Sequence, residues 1–283
     1  MRWQGRREST NVEDRRGLSG RHVAFGGGIG TVIIVIVLSL VFGQNPLQLL
    51  EGMGQSDPVT ATSPAASAQD DQAADFAKVV LADTEDVWGK LFSQLHKQYT
   101  PPVMVLYNGS VQSACGMSGA ATGPFYCPLD EKLYLDLSFF TELRQRFQAP
   151  GDFAEAYVIA HEVGHHVQKL LGISDQVQAL RERSDERRSN ALSVRLELQA
   201  DFLAGVWAHY DDKWNHVLEQ GDIQEALQAA NAVGDDRLQQ QSRGYVTPDA
   251  FTHGTSEERM RWFMKGYQTG DISQGDTFAA ASL

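Results

Sequence analysis

The stretch DFAEAYVIAHEVGHHVQKLLG, residues 152–172, decides the reading of this chain. Its apolar residues suit a buried helix, with Asp152 as N-cap and Gly172 as the C-terminal stop. Inside it, His161, Glu162 and His165 spell H-E-x-x-H. Residues four apart lie on one helix face, so the two imidazoles project side by side, as two ligands of a tetrahedral zinc ion must. Glu162, one residue along, can reach a water at the metal without ligating it, which is the place of a general base. The bland alternative is a surface or capping histidine pair. The apolar context opposes it, because one Glu and two His inside a buried helix are costly unless something binds them. The pattern implies a zinc-dependent hydrolase, with a peptide bond as the favoured target.

Further along, SVRLELQADFLAGVWAHY (193–210) has Val194, Leu198, Phe202, Leu203, Val206 and Trp207 at helical spacing. Glu197 and Asp201 stand four apart on that helix. We read Glu197 as the third metal ligand. Asp201, one turn on, is placed to accept the outer N–H of a zinc histidine. On this reading Asp201→Ala lowers zinc affinity and leaves the fold intact. A solvent-facing acidic stripe is the alternative.

AYVIAHEVGHHVQ, ELQAD, FYCPLD…LYLDLSFF, GDD and FTHGTSEER together resemble the neutral zinc metallopeptidase family of bacterial membrane proteins, within the broader gluzincin pattern. The opening WQGRREST-NVEDRRG matches as well, so the likeness covers nearly the whole chain. The resemblance implies a zincin-like metallopeptidase domain and brings no defined substrate. It also implies a cysteine at the position of Phe202 and another near Gly275. Both are absent here, which puts the anchoring of the C-terminal tail in question. Gluzincins use a His or Tyr to stabilise the oxyanion, and His253 in FTHGTSEER could serve so. A capping role for His253 in the same turn stays equally open. Asp235 and Asp236 of GDD either cap a helix or orient a ligand. His166, on another helix face, is expected to make a structural hydrogen bond.

Residues 26–42 end in TVIIVIVLSLVF without a charge. We read 25–43 as a transmembrane helix. Arg2, Arg6, Arg7, Arg15, Arg16 and Arg21 precede it, and an acidic stretch follows. The positive-inside rule then makes 1–24 a cytoplasmic basic N-terminus and places the rest outside the cytoplasm, in a single-pass inner-membrane protein. Residues 44–74, rich in Ser, Thr, Ala, Gln, Asp and Pro, read as a flexible linker, and 75–283 as the metallopeptidase-like domain. After the span, 18 basic residues face 33 acidic ones, a net charge of −15 that disfavours nucleic acid. Cys115 and Cys127 are the only cysteines. In an exported domain they could pair across a glycine-rich loop, and the absence of C-x-x-C and of a nearby His argues against a metal role.

Phe76–Leu95 has helical periodicity, Val103–Tyr107 and Leu133–Leu137 read as strands, and helices follow near 139–148, 153–171, 190–210, 222–233 and 256–268. The fold class expected is α+β: mostly helical, zincin-like, with a few short strands and one preceding transmembrane helix. By analogy, 133–137 is the strand expected to hold an extended substrate. The function expected is membrane-anchored, zinc-dependent peptide hydrolysis of a peptide or protein substrate. Zinc (Zn²⁺) is bound by His161, His165 and Glu197, Glu162 is the base, and His253 stabilises the oxyanion. The alternatives are a metal-binding scaffold without turnover and a zinc hydrolase of a non-peptide bond. Glu162 argues against the scaffold, which needs ligands but no base.

Overall fold

The structure is a computed structural model and describes residues 1–18, 68–119 and 123–283. Helix α1 (Ala68–Gln94) comes first in the body of the domain. It leads into strands β2 (Val103–Tyr107), β3 (Ser110–Ser113), β4 (Gly116–Gly119), β5 (Phe125–Cys127) and β6 (Lys132–Asp136). Seven helices follow: α2 (Ser138–Gln145), α3 (Asp152–Leu170), α4 (Ile173–Arg181), α5 (Glu186–Asn215), α6 (Asp222–Ala232), α7 (Asp235–Arg243) and α8 (Ser256–Thr269). Few strands and then many helices give the mostly helical α+β class that the sequence implied.

The main sheet has the order β1-β2-β6-β5, where β1 is Val12–Asp14. β1 and β6 run parallel to β2, and β5 runs antiparallel to β6. β3 and β4 form a separate hairpin, and a disulfide from Cys115 to Cys127 clips its turn to the end of β5. The expected substrate strand needs correction. β6 is paired on both sides, so its main chain is already used. Among the described residues the edge strands are β1 and β5, and of these β5 borders the cleft.

α3 is buried on nearly every side, against α5, α6 and α1, with Phe153, Tyr157, Val163 and Val167 in the core. Gly172 ends it with φ 77°, the left-handed stop expected of glycine. Asp152 is not the N-cap: Gly151 takes that position. The Asp152 carboxylate instead lies 2.5 Å from the α-amino group of Met1, which Asp222 also approaches at 3.4 Å. α5 and α8 cross with glycine at the contact, and a Cβ added at Gly266 would stand 2.0 Å from the Phe202 carbonyl oxygen. The absent cysteine pair has a physical counterpart. Gly275 rests on the ring of Phe202, where an added Cβ would sit 2.5 Å from ring carbons. The tail is seated by packing at the two positions where the resemblance implied cysteines.

The transmembrane part of the expected fold class, and the single-pass membrane location drawn from it, do not stand. Among the described residues no helix is long and apolar enough to cross a membrane. The segment 25–43 lies outside the described residues. The orientation argument also fails on its own ground. Residues 1–16, expected on the cytoplasmic side, belong to the same compact unit as 66–283. β1 pairs with β2 in register Val12–Met104, and the Arg2 N–H donates to the Val217 carbonyl at 2.8 Å. Among the described residues, the five arginines counted as a topology signal, Arg2, Arg6, Arg7, Arg15 and Arg16, are ion-pair partners. Arg6 meets Asp83 at 2.5 Å, and Arg7 meets Glu85 and Asp86 at 3.0 and 2.9 Å. The tether read over 44–74 falls mostly outside the described residues, and α1 already begins at Ala68.

Candidate metal centre

α3 and α5 bring His161, His165 and Glu197 to one point. Their ligand atoms lie within 4.8 Å of one another. Glu197 Oε2 is 3.2 Å from His161 Nε2 and 3.5 Å from His165 Nε2. Tetrahedral donors at zinc bond lengths stand about 3.3–3.4 Å apart, so the spacing fits that ion. The donor set of two imidazoles and one carboxylate fits it too. Gly164, between the two histidines, lets α5 come close: a Cβ there would be 3.0 Å from the Ala200 carbonyl oxygen.

Glu162 lies nearly buried beside the two imidazoles and borders the same cleft, of about 1290 Å³. Its carboxylate has no hydrogen-bond partner among the described residues. Burial, followed by the field of Glu197, raises its pKa against the pull of His161 and His165.

Asp201 is fully buried and sits below His161, with Oδ1 2.8 Å from His161 Nδ1. It is therefore no solvent-facing stripe. Three further bonds hold it. Tyr157 Oη donates to Oδ1 at 2.5 Å, Arg259 Nε donates to Oδ2 at 2.8 Å, and Arg259 Nη2 donates to Oδ1 at 3.0 Å. Burial opposes the charge on Asp201, but Arg259 and His161 outweigh it and hold the pKa at about 2. Burial likewise pulls His161 down, and Asp201 with Glu197 lifts it to about 10. Burial disfavours the Glu197 carboxylate, yet the two imidazoles keep it ionised, well below the ordinary range.

Sequence reasoning missed Tyr157 and Arg259. Tyr157 stands one turn before His161 and reads as ordinary core. Arg259 sits on α8, 58 residues beyond Asp201. A fully buried arginine has no local sequence signal of its own.

His253 borders the cleft. Its Nδ1 lies 3.2 Å from Asp235 Oδ1, and Asp235 raises its pKa against the effect of burial. Asp235 Oδ2 accepts backbone N–H groups from Thr252, His253 and Gly254, while Asp236 accepts from Ser256. The GDD acids thus staple the His253 segment to α7. The cap of α8 is Thr255, in a reciprocal box with Glu258, so His253 is not needed for capping. His166 is structural, with Nδ1 3.0 Å from Tyr126 Oη and Nε2 2.7 Å from the Thr100 carbonyl. Phe125 and Tyr126 of edge strand β5 also line the cleft, together with Phe139 and Phe147.

In the second acidic group of the described residues, Asp152, Asp222 and Glu225, the two aspartates approach the Met1 amino group and Glu225 accepts the Phe153 N–H.

Residues 1–278 match the family described as "Putative neutral zinc metallopeptidase". The chain is 50% identical to "Uncharacterized protein YpfJ" of Escherichia coli (strain K12), over 98% of this chain and 99% of that protein. It is 46% identical to "Uncharacterized protein Mb2605" of Mycobacterium bovis (strain ATCC BAA-935 / AF2122/97), over 65% of each. No solved structure is a significant match.

Proposed function

The chain belongs to the putative neutral zinc metallopeptidase family, and from that membership we propose that it is a zinc-dependent peptidase with its centre at His161, His165 and Glu197. The observation that supports this most is the 3.2–3.5 Å spacing of Glu197 from the two imidazoles beside Glu162, a carboxylate without a hydrogen-bond partner among the described residues that borders the same cleft. Zinc held by these residues would supply Lewis-acid polarisation and water activation near neutral pH. Glu162 takes the proton of the attacking water and hands it to the leaving amine nitrogen. His253, oriented at Nδ1 by Asp235, presents Nε2 to the carbonyl oxygen as charge develops there. Asp201 holds His161 by Nδ1, so that Nε2 faces Glu197. The free edge of β5 offers main-chain groups to an extended peptide, and Phe125, Phe139 and Phe147 offer apolar contact for its side chains.

Metal analysis and a peptide-library assay on the full chain test this. We expect about one zinc per chain. Glu162→Gln should keep the metal and lose at least ~10²-fold in hydrolysis. Metal-free wild-type protein, or a Glu162→Gln variant as active as wild type, overturns the proposal. A wild type that holds zinc but cleaves nothing would favour the scaffold reading instead.

A further inference from the structure

His161 has Asp201 behind it, but His165 has no carboxylate there. Its Nδ1 lies 2.9 Å from Gln168 Oε1, one turn along α3. Gln168 is fully buried. Its Nε2 donates to the Leu196 carbonyl at 2.7 Å and to Gln199 Oε1 at 3.1 Å. Gln199 Nε2 in turn donates to the Gly275 carbonyl at 2.8 Å. A chain of two buried amides therefore runs from His165 to the C-terminal tail.

The direction of every bond in this chain is fixed from its far ends. The carbonyls of Leu196 and Gly275 can only accept. Gln199 must then point its NH₂ at Gly275 and its oxygen at Gln168. Gln168 must point its NH₂ at Leu196 and Gln199, which leaves only its oxygen for His165. That oxygen accepts, so His165 carries a proton on Nδ1, and Nε2 is the ring nitrogen turned toward Glu197. An amide turned the other way would set N–H against N–H at Gln168 and O against O at Gly275.

The tail end of the chain is itself held. Gly275 rests on Phe202, Thr277 Oγ1 donates to the Arg195 carbonyl at 2.6 Å, and the Arg195 guanidinium donates to the carbonyls of Thr277 and Ala280. Arg195, Gln199 and Phe202 recur at i, i+4 and i+7, which is one face of α5. Glu197 and Asp201 take another. One helix thus presents ligand and support toward the cleft, and a clamp toward the tail.

We propose that Gln168 is a positioning residue that fixes the Nδ1–H tautomer of His165, with Gln199 and the tail segment 272–280 as its brace. The tautomer claim stands on hydrogen-bond geometry alone; its effect on zinc rests on the proposed centre.

Three variants of the full chain test it: Gln168→Met, Gln168→Glu and Gln199→Met. The readouts are the His165 ring-nitrogen NMR signals of zinc-free protein, zinc affinity against a competing chelator, and circular dichroism. Wild type should show Nδ1–H at His165. Gln168→Met should lose that single tautomer and weaken zinc ~10–100-fold. Gln168→Glu should recover most of both, because its carboxylate still accepts the Nδ1 proton. A merely structural role predicts the opposite, since Glu forfeits the donations to Leu196 and Gln199 as fully as Met does. Gln199→Met leaves the Leu196 bond in place, so its loss of zinc affinity should be smaller, about threefold to tenfold. A folded Gln168→Glu as weak as Gln168→Met overturns the proposal, and so does a wild-type His165 that lacks the Nδ1 proton. Should Gln168→Met fail to fold, the wild-type tautomer and the Glu variant still decide. Wild type that retains no zinc while showing Nδ1–H refutes the metal centre and leaves the tautomer assignment standing.

Discussion

At Asp201 a single carboxylate does two jobs. It orients His161, and it neutralises Arg259, which is itself buried. The sequence expectation that Asp201→Ala leaves the fold intact therefore needs revision. Alanine would strand a buried guanidinium, and breaking such a pair from one side costs about 3–5 kcal/mol. We expect Asp201→Ala to lower unfolding free energy by that order in urea titrations. Asp201→Ala with Arg259→Met should regain part of it, because the stranded charge is gone. Zinc affinity should stay low in both, since neither supplies an acceptor for His161 Nδ1. If the double variant also restores zinc, the role of Asp201 is only to satisfy Arg259. At this scale H-E-x-x-H and E-x-x-x-D were legible because their chemistry repeats at helical spacing within one segment. Gln199 and Arg259 were not, because only tertiary packing brings them to the centre, while Tyr157 and Gln168 stand one turn from a histidine on α3 and read there as an ordinary core aromatic and an ordinary amide.

Helices α5 and α8 make the most extensive helix contact in the domain, and glycine makes it possible. A Cβ at Gly205 would lie 2.1 Å from the Phe263 carbonyl oxygen, and one at Gly266 lies equally close to α5. Backbone faces backbone there, so no side chain can turn aside. Gly266→Ala must push the helices apart, at the usual overpacking cost of about 1–3 kcal/mol or more. The shift would carry Arg259 on α8 away from Asp201 on α5. We therefore expect Gly266→Ala to lower both thermal stability and zinc affinity, although residue 266 lies against Phe202 and Val206 and not against a ligand. A Gly266→Ala protein with wild-type zinc affinity would show that the Arg259–Asp201 pair tolerates helix movement. The longer helices and strands β2 and β6 were legible from periodicity. β1 was hidden among arginines, and β5 is three residues with no alternation to read. α4 is only nine residues long, with a stripe of just Ile173, Val177 and Leu180, and α7 is strongly polar with little apolar stripe to announce it.

Across the whole molecule, one of the contacts that secure the N-terminal segment is a buried polar knot. Arg6 lies 2.5 Å from Asp83 on α1 and 3.7 Å from Asp211 on α5. Each aspartate leaves its other oxygen buried without a partner. Burial raises both acids, and Asp211 adds to the rise at Asp83. The folded chain then binds more protons than the unfolded one across the intervening pH range, so stability falls as pH rises. This contribution is complete below the ordinary aspartate value of 3.8 and is lost as pH rises through about 7. Urea midpoints should decline between about pH 4 and 7, and Asp211→Asn should flatten that decline. An unchanged slope would take the Asp211 carboxyl out of the balance.

The pairing of β1 with β2 also sets an order of events in time. Val12 finds its partner at Met104, and Arg2 finds its own only at Val217. At ribosomal speeds of about 5–20 residues per second, Val217 follows Arg2 by roughly 10–40 s. The segment made earlier is thus among the last to dock. Until it does, the nascent body carries an unpaired edge on β2, the kind of edge that recruits strands from other chains. Deleting residues 1–16 would make that interval permanent. The truncated chain should keep its helical circular dichroism and aggregate at concentrations where the full chain stays monodisperse. A strand of three residues is in this sense the protein's own chaperone, synthesised in advance and applied at the end.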